Sequence, residues 1–150
     1  MAENRRRRID ALAPDEVERV TVVLGLARLS QGDGFYLVAW ECDEPLGHAY
    51  LRLANPPELQ DVSVRPDHRR RGIASALTAA AECEAQARGF DRLRVTVSVD
   101  NLPAQTLYRA CGYADCGVAP KRVKGTVVIR TGPIDVDDTL LTWEKPLRPR

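Results

Sequence analysis

The chain has 150 residues, of which 44% are apolar and 29% are charged, and its formal net charge is +1. This length suits one domain over residues 1–150 with a single hydrophobic core, and the composition is too apolar for a disordered chain. A net charge so close to zero also argues against a surface that binds polyanions as a whole.

Basic residues concentrate in two short runs, Arg5–Arg8 and Arg69–Arg71. The first run lies in a polar N-terminal stretch with no apolar segment after it, which argues against a secretory signal or a membrane anchor. We interpret residues 1–8 as a flexible basic tail. We expect no nucleic-acid partner, because four arginines alone are a weak signal for nucleic-acid binding.

Cysteine and histidine spacing does not predict a metal site. The four cysteines include no CxxC pair, and His48 and His68 are the two histidines. We therefore expect no metal, and without an export signal we expect reduced thiols in the cytoplasm. No stretch of the sequence approaches the apolar length that crosses a bilayer, so we expect no membrane partner.

The first part of the chain predicts a short strand, a helix and a β-hairpin. Pro14 and the acidic residues after it open a helix whose buried stripe includes Val17, Val20 and Leu24 and extends toward Leu26–Leu29. Two apolar runs joined by a short polar connection predict an antiparallel hairpin. The expected strands are Arg8–Leu12, Phe35–Trp40 and Leu46–Leu53, with His48 as a half-buried residue of the last one.

A strand, a basic turn and a helix follow, and they organise the rest of the chain. Glu58–Val64 predicts the strand, Arg69–Arg71 form the turn, and Ile73–Arg88 carry small and apolar residues at helical spacing. Gly89 is placed to end the helix, and Leu93–Val99 alternate as a strand does. Two strands joined through a helix predict a parallel pair with a right-handed crossover.

The basic turn predicts an anion-binding site. The first turn of a helix points unpaired N–H groups outward and carries the positive end of the helix dipole, which favours a phosphate-bearing ligand. Gly72 removes a side chain where the backbone would approach that ligand. The turn lacks the GxxxxGKS/T and GxGxxG patterns, which argues against the two common kinds of nucleotide-binding loop.

The last third of the chain predicts a short helix and two strands. Asn101 precedes a helix over Ala104–Cys111, which stops at Gly112. Thr126–Arg130 and Thr139–Trp143 have the β-branched and alternating character of strands. Many glycines, prolines and charges between residues 117 and 138 predict an exposed and variable hairpin region.

Two segments resemble the GNAT superfamily of N-acetyltransferases. Arg69-x-x-Gly72-x-Ala74, which follows a strand and opens a helix, is similar to the family signature Q/R-x-x-G-x-G/A. Asn101-x-x-Ala104-x-x-Leu107-Tyr108-x-x-x-Gly112-Tyr113 is similar to the family segment N-x-x-A-x-x-L-Y-x-x-x-G-F and differs only in the last aromatic residue. The resemblance extends over about Phe35–Leu147. It implies the α/β GNAT fold, a mixed and mostly antiparallel sheet with a central parallel strand pair flanked by helices.

The resemblance also implies acetyl-CoA as co-substrate and a primary amine of a small molecule or peptide as acceptor, with direct transfer in a ternary complex. The main chain of Val62–Val64 would hold the pantetheine arm and the acetyl carbonyl, and Arg69–Ser75 would hold the pyrophosphate. The implied cofactor-binding residues are Val62, Ser63, Val64, Arg69, Arg70, Arg71, Gly72, Ile73, Ala74, Ser75, Asn101 and Tyr108. A homodimer is left open.

Tyr108 and Glu58 are the candidate catalytic residues. Tyr108 matches the family tyrosine near the sulfur, which implies that its phenol protonates the departing thiolate. With reference pKa values of about 10 for the phenol and about 8.5 for a thiol, that transfer is only slightly uphill.

The identity of the general base stays open at the level of sequence. Gln60 stands nine residues before Arg69, where many family members have a glutamate, and an amide cannot take the proton. Glu58 lies on the same strand face and could act through a water, whereas strand alternation points Asp61 to the opposite face. A reaction without a dedicated base is the remaining alternative.

The charges of the last hairpin do not identify the acceptor. Three aspartates there would attract a cationic amine, whereas three basic residues would favour an acidic one; they are Asp135, Asp137, Asp138, Lys121, Arg122 and Lys124. Two other functions remain as alternatives. A non-catalytic domain that binds or senses acyl-CoA is favoured by Gln60, and a nucleic-acid partner would act through Arg5–Arg8.

Overall fold

The structure is a computed structural model, and it describes residues 7–26, 32–129 and 132–148. These residues form eight strands and three helices, together with two short 3-10 turns at Pro14–Glu16 and Pro66–His68. The elements in chain order are β1 (Arg7–Ala11), α1 (Val17–Leu24), β2 (Gly34–Glu41), β3 (Glu44–Arg52), β4 (Glu58–Val64), α2 (Ile73–Ala87), β5 (Arg92–Ser98), α3 (Leu102–Ala110), β6 (Ala114–Asp115), β7 (Lys121–Ile129) and β8 (Gly132–Pro146).

All eight strands belong to one sheet, in the order β1-β2-β3-β4-β5-β8-β6, with β7 paired to β8. The pairs are antiparallel except β4 and β5, which are parallel and joined through α2. This confirms the expected mixed sheet with a central parallel pair. No helix among the described ranges is long and apolar enough to cross a membrane.

Each face of the sheet carries its own hydrophobic cluster, because side chains alternate between faces along a strand. Leu37 and Ala39 of β2 contribute to the cluster that contains Leu77, Ala81 and Ala85 of α2. The alanines let α2 lie close to the sheet. The other cluster packs Val20 of α1 against the alternate residues of β2 and β3, which are Tyr36, Val38, Trp40 and Tyr50.

The N-terminal strand corrects part of the tail interpretation. Arg7 and Arg8 belong to β1 and pair with Glu41 and Trp40 of β2. The Arg8 guanidinium lies 4.8 Å from the Trp40 ring centroid and donates to Asp10 at 2.6 Å. A stacked and ion-paired arginine in a paired strand is ordered, so the tail interpretation is wrong for these two residues. The rest of residues 1–8, Arg5 and Arg6 among them, lies outside the described residues, as does most of the predicted Leu26–Leu29 stripe.

The last hairpin is longer than the sequence pattern predicts. β7 begins at Lys121 rather than at Thr126, and β8 runs from Gly132 to Pro146. The first half of β8 pairs with β7, and its second half pairs with β5 and β6. Arg130, the predicted end of β7, lies outside the described residues.

A β-bulge interrupts β4 and changes which way its side chains point. His48 pairs with Ser63 but Tyr50 pairs with Gln60, so two residues of β4 oppose Ala49. Asp61 takes the left-handed conformation, with φ +56. The expectation from simple alternation, that Asp61 faces away from Gln60, is therefore wrong. The bulge turns the Asp61 carboxylate toward His48, on the face covered by α1.

Candidate active site

A cleft of about 600 Å³ opens between the end of β4, the turn that leads into α2, and α3. It is lined by Val62, Ser63, Val64, His68, Arg69, Arg70, Gly72, Ile73, Ala74, Ser75, Asn101, Pro103, Ala104, Thr106, Leu107 and Tyr108. The structure thus brings together all the cofactor residues expected from the sequence except Arg71, which is not in the lining. The lining also includes His68, Pro103, Ala104, Thr106 and Leu107, which the sequence did not nominate. Pro103, Ala104, Thr106 and Leu107 lie on the same helix as Tyr108, and that shared helix is the signal in the sequence that could have identified them as lining residues.

The cleft exists because two parallel strands separate. β4 and β5 pair only at Glu58 with Arg94 and at Leu59 with Val95, and β5 then continues beside β8. The bulge at Asp61 falls just beyond the last pair and adds to the divergence. The edge of β4 at Val62–Val64 therefore borders the cleft, where an extended ligand can lie beside it as a strand would.

The turn between β4 and α2 offers main-chain donors to the cleft. Gly72 precedes α2 with φ +75, and a Cβ built on it meets no atom within 4 Å. Ile73, Ala74 and Ser75 form the first turn of α2, where N–H groups have no acceptor inside the helix and the helix dipole is positive. The arrangement suits an anion that approaches the backbone closely.

The two arginines that line the cleft have different geometries. The Arg69 guanidinium donates to the Val64 carbonyl at 3.3 Å, so its side chain folds back onto β4. Arg70 has φ +65, which turns the chain sharply before α2. Both residues line the cleft, and the hydrogen bond to the Val64 carbonyl holds the Arg69 side chain against β4.

Helix α3 forms the opposite wall and carries Tyr108. The helix begins at a capped residue, since the Asn101 side chain accepts a hydrogen bond from the Ala104 N–H at 3.1 Å. Tyr108 is 7% exposed, and its ring meets the Tyr113 ring edge-on at 5.7 Å. Burial, with a smaller contribution from the nearby Cys111 side chain, raises the pKa of Tyr108 to about 12. The phenol therefore stays protonated at neutral pH.

A polar cluster behind Tyr108 ties α3 to α2 and β8. The Tyr113 hydroxyl donates to Glu82 at 2.9 Å, and the Lys145 ammonium donates to the other Glu82 oxygen at 2.9 Å. Burial and the nearby Glu82 carboxylate raise the pKa of Tyr113 above its usual range. Tyr113 lies in the turn after α3, whereas Glu82 belongs to α2 and Lys145 to β8, so the cluster fixes the edge-on partner of Tyr108 from behind.

Glu58 lies where β4 and β5 are still paired, on the face covered by α1. One of its oxygens accepts from the Thr96 hydroxyl at 2.5 Å and the other from the Gln60 amide at 3.0 Å. An Arg52 nitrogen lies 3.8 Å away. Glu58 is not among the residues of the cleft lining, and its hydrogen bonds connect the two strands just before they separate.

His48 and Asp61 lie together on the same face. His48 is more deeply buried than the half-buried position expected, at 4% exposed, and its Nδ1 lies 3.9 Å from Asp61 Oδ2. Burial lowers the pKa of His48, while the Asp61 carboxylate and a hydrogen bond with the Asp61 main chain partly oppose that change. The imidazole is therefore neutral at pH 7. Sequence spacing gave no signal for this contact, because the bulge creates it.

Two aspartates of the last hairpin have partners within it. Arg122 forms an ion pair with Asp137, and the Thr126 hydroxyl donates to Asp135 at 2.7 Å. Each of these contacts joins β7 to β8. No group of His, Cys, Asp and Glu side chains in the described part of the chain could hold a metal ion.

One family model and several known proteins match parts of this chain. The model of the Acetyltransferase (GNAT) family matches residues 5–113. A mycothiol acetyltransferase of Clavibacter michiganensis is 41% identical over 84 residues, which cover 55% of this chain and 28% of that protein. A streptothricin acetyltransferase of Streptomyces lavendulae is 37% identical over 68 residues, which cover 45% of this chain and 36% of that protein. The chain thus spans about a third of the length of these relatives.

Solved structures share the fold over nearly the whole chain. The ribosomal-protein-S18-alanine N-acetyltransferase of Escherichia coli has a TM-score of 0.73 at 15% identity and covers 97% of this chain and 96% of its own. A GNAT family acetyltransferase of Elizabethkingia anophelis, solved with acetyl-CoA bound, has a TM-score of 0.67 at 13% identity. It covers 94% of this chain and 98% of its own. Since the family model matches well over half of the chain and the architecture agrees, the chain belongs to the GNAT family of acetyltransferases.

Proposed function

We propose that this protein is an N-acetyltransferase that moves an acetyl group from acetyl-CoA to a primary amine, directly and in a ternary complex. The observation that carries the proposal is a cleft on which a strand edge, a helix N-terminus and a buried tyrosine converge. These are the three parts that a thioester donor with a long amide arm and a pyrophosphate requires.

The residues of the cleft fit acetyl-CoA. The edge of β4 at Val62–Val64 offers main-chain groups to the amides of the pantetheine arm, and the first turn of α2 offers N–H donors to the pyrophosphate. The open space at Gly72 leaves room for the phosphates. When bound, acetyl-CoA supplies an activated acetyl group.

The proposed role of Tyr108, which lines the cleft, is to return a proton to the sulfur. The amine nitrogen attacks the thioester carbonyl carbon, the C–S bond breaks with its electron pair on sulfur, and the phenol protonates the thiolate. With a pKa of about 12 for Tyr108 against about 8.5 for a free thiol, the transfer is uphill by about 5 kcal/mol. Burial in the same place also raises the pKa of the thiol, because it disfavours the charged thiolate. The difference between the two pKa values, and the free-energy cost of the transfer, are smaller as a result.

The acceptor we propose is a primary amine on a small polar molecule or a peptide. The matched relatives are named for mycothiol and streptothricin, and one structural neighbour for the alanine of a ribosomal protein. These names guide the choice of amines to test, since the chain spans only a part of the first two proteins.

The test is turnover of acetyl-CoA with four amines: a streptothricin, glucosamine, putrescine and a peptide with an N-terminal alanine. We expect thiol release with at least one of them and an N-acetylated product by mass spectrometry. The alternative is a domain that binds acyl-CoA without catalysis, which is favoured by Gln60 at a position where many family members have a glutamate. Binding of CoA in a calorimeter without turnover of any amine would support that alternative.

A further inference from the structure

His68 is a residue of the cleft lining whose two ring nitrogens have different surroundings. It belongs to the 3-10 turn Pro66–His68 between β4 and α2, and its main-chain N–H donates to the Arg65 carbonyl at 2.9 Å, which closes the turn. Its side chain is 18% exposed and borders the cleft. The imidazole is therefore held at the wall of the cleft, where the chain passes from the edge of β4 to the first turn of α2.

Asp67 determines which nitrogen of the His68 ring carries a proton. Its Oδ1 atom lies 2.9 Å from His68 Nδ1, and this hydrogen bond is the main cause that holds the pKa of Asp67 below its ordinary value. The Arg65 guanidinium, 3.8 Å from the same oxygen, also favours the ionised carboxylate. An ionised carboxylate only accepts hydrogen bonds, so Nδ1 carries the proton and donates it. In the neutral imidazole the lone pair is then on Nε2, the nitrogen that Asp67 does not use.

The end of the β4 edge has an acceptor that is already in use. An extended ligand that lies beside a strand offers N–H groups as well as carbonyls, and it needs acceptors for them. The Val64 carbonyl, at the end of β4, accepts from the Arg69 guanidinium at 3.3 Å. The same hydrogen bond ties the turn to the end of β4, so the ring of the neighbouring His68 borders the cleft close to this point. Its Nε2 atom supplies an acceptor there.

We propose that His68 Nε2 accepts a hydrogen bond from an N–H or O–H group of the pantetheine arm, and that Asp67 is the positioning residue that keeps the proton on Nδ1. The proposal rests on the function proposed above, since it adds a binding residue to the acetyl-CoA cleft. It assigns His68 to the arm and not to the phosphates, because a neutral ring with its proton on Nδ1 has no N–H to offer an anion at Nε2. The N–H groups of the first turn of α2 remain the donors for the phosphates.

His68→Asn and His68→Gln separate the two nitrogens. Asparagine keeps a donor for Asp67 but is too short to place an acceptor at the position of Nε2, whereas the Gln side chain reaches that position with an oxygen. At about pH 8.5, where imidazoles are ordinarily neutral, the Kd for CoA by calorimetry should rise about 3–10-fold in His68→Asn, the usual effect of one neutral hydrogen bond. It should stay within about twofold of the wild type in His68→Gln.

Two results of this titration would overturn the assignment. One is a Kd in His68→Asn within about twofold of the wild type, and the other is a loss in His68→Gln as large as in His68→Asn. A cooperative melt without ligand shows that each variant is folded. His68→Phe, which keeps a ring without nitrogen, takes the place of His68→Asn if that variant does not fold, with the same expected loss.

A second ligand separates the arm from the phosphates. The probe is 3′-phosphoadenosine 5′-diphosphate, the nucleotide part of CoA without the pantetheine arm. Its Kd, measured by displacement of CoA, should be the same in His68→Asn as in the wild type to within about twofold. A loss for this nucleotide as large as the loss for CoA would mean that His68 acts on the phosphates or on the shape of the turn, and the assignment to the arm would fail.

The positioning role of Asp67 has a readout that needs no ligand. The ¹⁵N chemical shifts of the His68 ring at about pH 8.5 show which nitrogen carries the proton, and we expect Nδ1 in the wild type. Asp67→Asn changes a side chain that is 66% exposed, so it carries little risk to the fold. The population of the Nδ1–H form should fall in that variant, since an amide can donate to Nδ1 as well as accept from it. A ring protonated on Nε2 in the wild type would contradict the proposal.

The results distinguish this inference from the function on which it rests. If the wild-type protein binds CoA and acetylates an amine, and His68→Asn binds CoA equally well, the assignment of His68 fails and the proposed function stands. If the wild-type protein binds no CoA, the proposed function fails and the assignment fails with it.

Discussion

Tyr108 combines a buried ring with a place in the cleft lining, so one substitution can separate its packing from its chemistry. Tyr108→Phe keeps the ring and its edge-on contact with Tyr113. We expect kcat to fall by about 10²-fold, a typical general-acid contribution, with the CoA Kd within about twofold. The measurement is steady-state kinetics beside calorimetry.

The pH profile adds a second check on the same residue. A proton donor works while it is protonated, and the pKa of Tyr108 is about 12. The phenol should therefore cause no loss of activity between about pH 6 and 10. Tyr113→Phe is the matched control, because that hydroxyl binds Glu82 and Tyr113 is not in the cleft lining. Equal losses of kcat in the two variants would remove the specific role of Tyr108.

At the scale of elements, the strand, helix and strand around the basic turn could be predicted closely. β4 has the bounds expected, and α2 and β5 differ from expectation by one residue at their ends. Periodicity succeeds here because each element buries one face against the sheet or a helix. Likewise the resemblance of two motifs sufficed to place nearly all the proposed cofactor residues around one cleft.

The bounds of the remaining elements depend on pairing between residues that are distant in sequence. A local sequence pattern does not predict such pairing. No glycine stands at the bulge, since Asp61 itself takes the left-handed conformation. Val62 and Val64 keep the alternating pattern of a regular strand, so the sequence does not indicate a bulge. The start of β7 at Lys121 is held by pairing with β8 and not by β propensity. For the same reason the contacts of Glu58 with Thr96 and of His48 with Asp61 could not be predicted.

Helix α3 offers a test of an element through its cap. Asn101→Ala removes the hydrogen bond to the Ala104 N–H and should lower the free energy of unfolding by about 1 kcal/mol. Asn101→Asp keeps an acceptor oxygen and should retain most of the stability, but its charge borders the cleft and should weaken binding of CoA. Urea unfolding and calorimetry measure the two effects. Equal destabilisation in both variants would show that the cap does not hold the helix.

At the scale of the whole molecule, the separation of β4 from β5 divides the surroundings of the cleft into two sides. The cleft lies beside α2 and α3, and the carboxylates of Glu58 and Asp61 lie on the face covered by α1. The separation of β4 from β5 is the opening that connects the two faces. A donor bound in the cleft therefore bridges elements from both sides of that opening, and its binding should stabilise the whole domain.

CoA should raise the melting temperature, because a ligand that binds only the folded state adds RT ln(1 + [L]/Kd) to its stability. At a CoA concentration of about 100 times Kd the gain is about 2.7 kcal/mol, or roughly 5–10 °C for a domain of this size. Gly72→Glu should abolish the shift, since its carboxylate enters the open space beside the first turn of α2 and repels the phosphates. Gly89→Glu is the matched control, with φ +86, the same open space and a place at the other end of α2. Both variants carry the same added charge and a similar backbone strain, so both should melt somewhat below the wild type without ligand. A full CoA shift in Gly72→Glu, measured by differential scanning fluorimetry, would place the phosphates elsewhere.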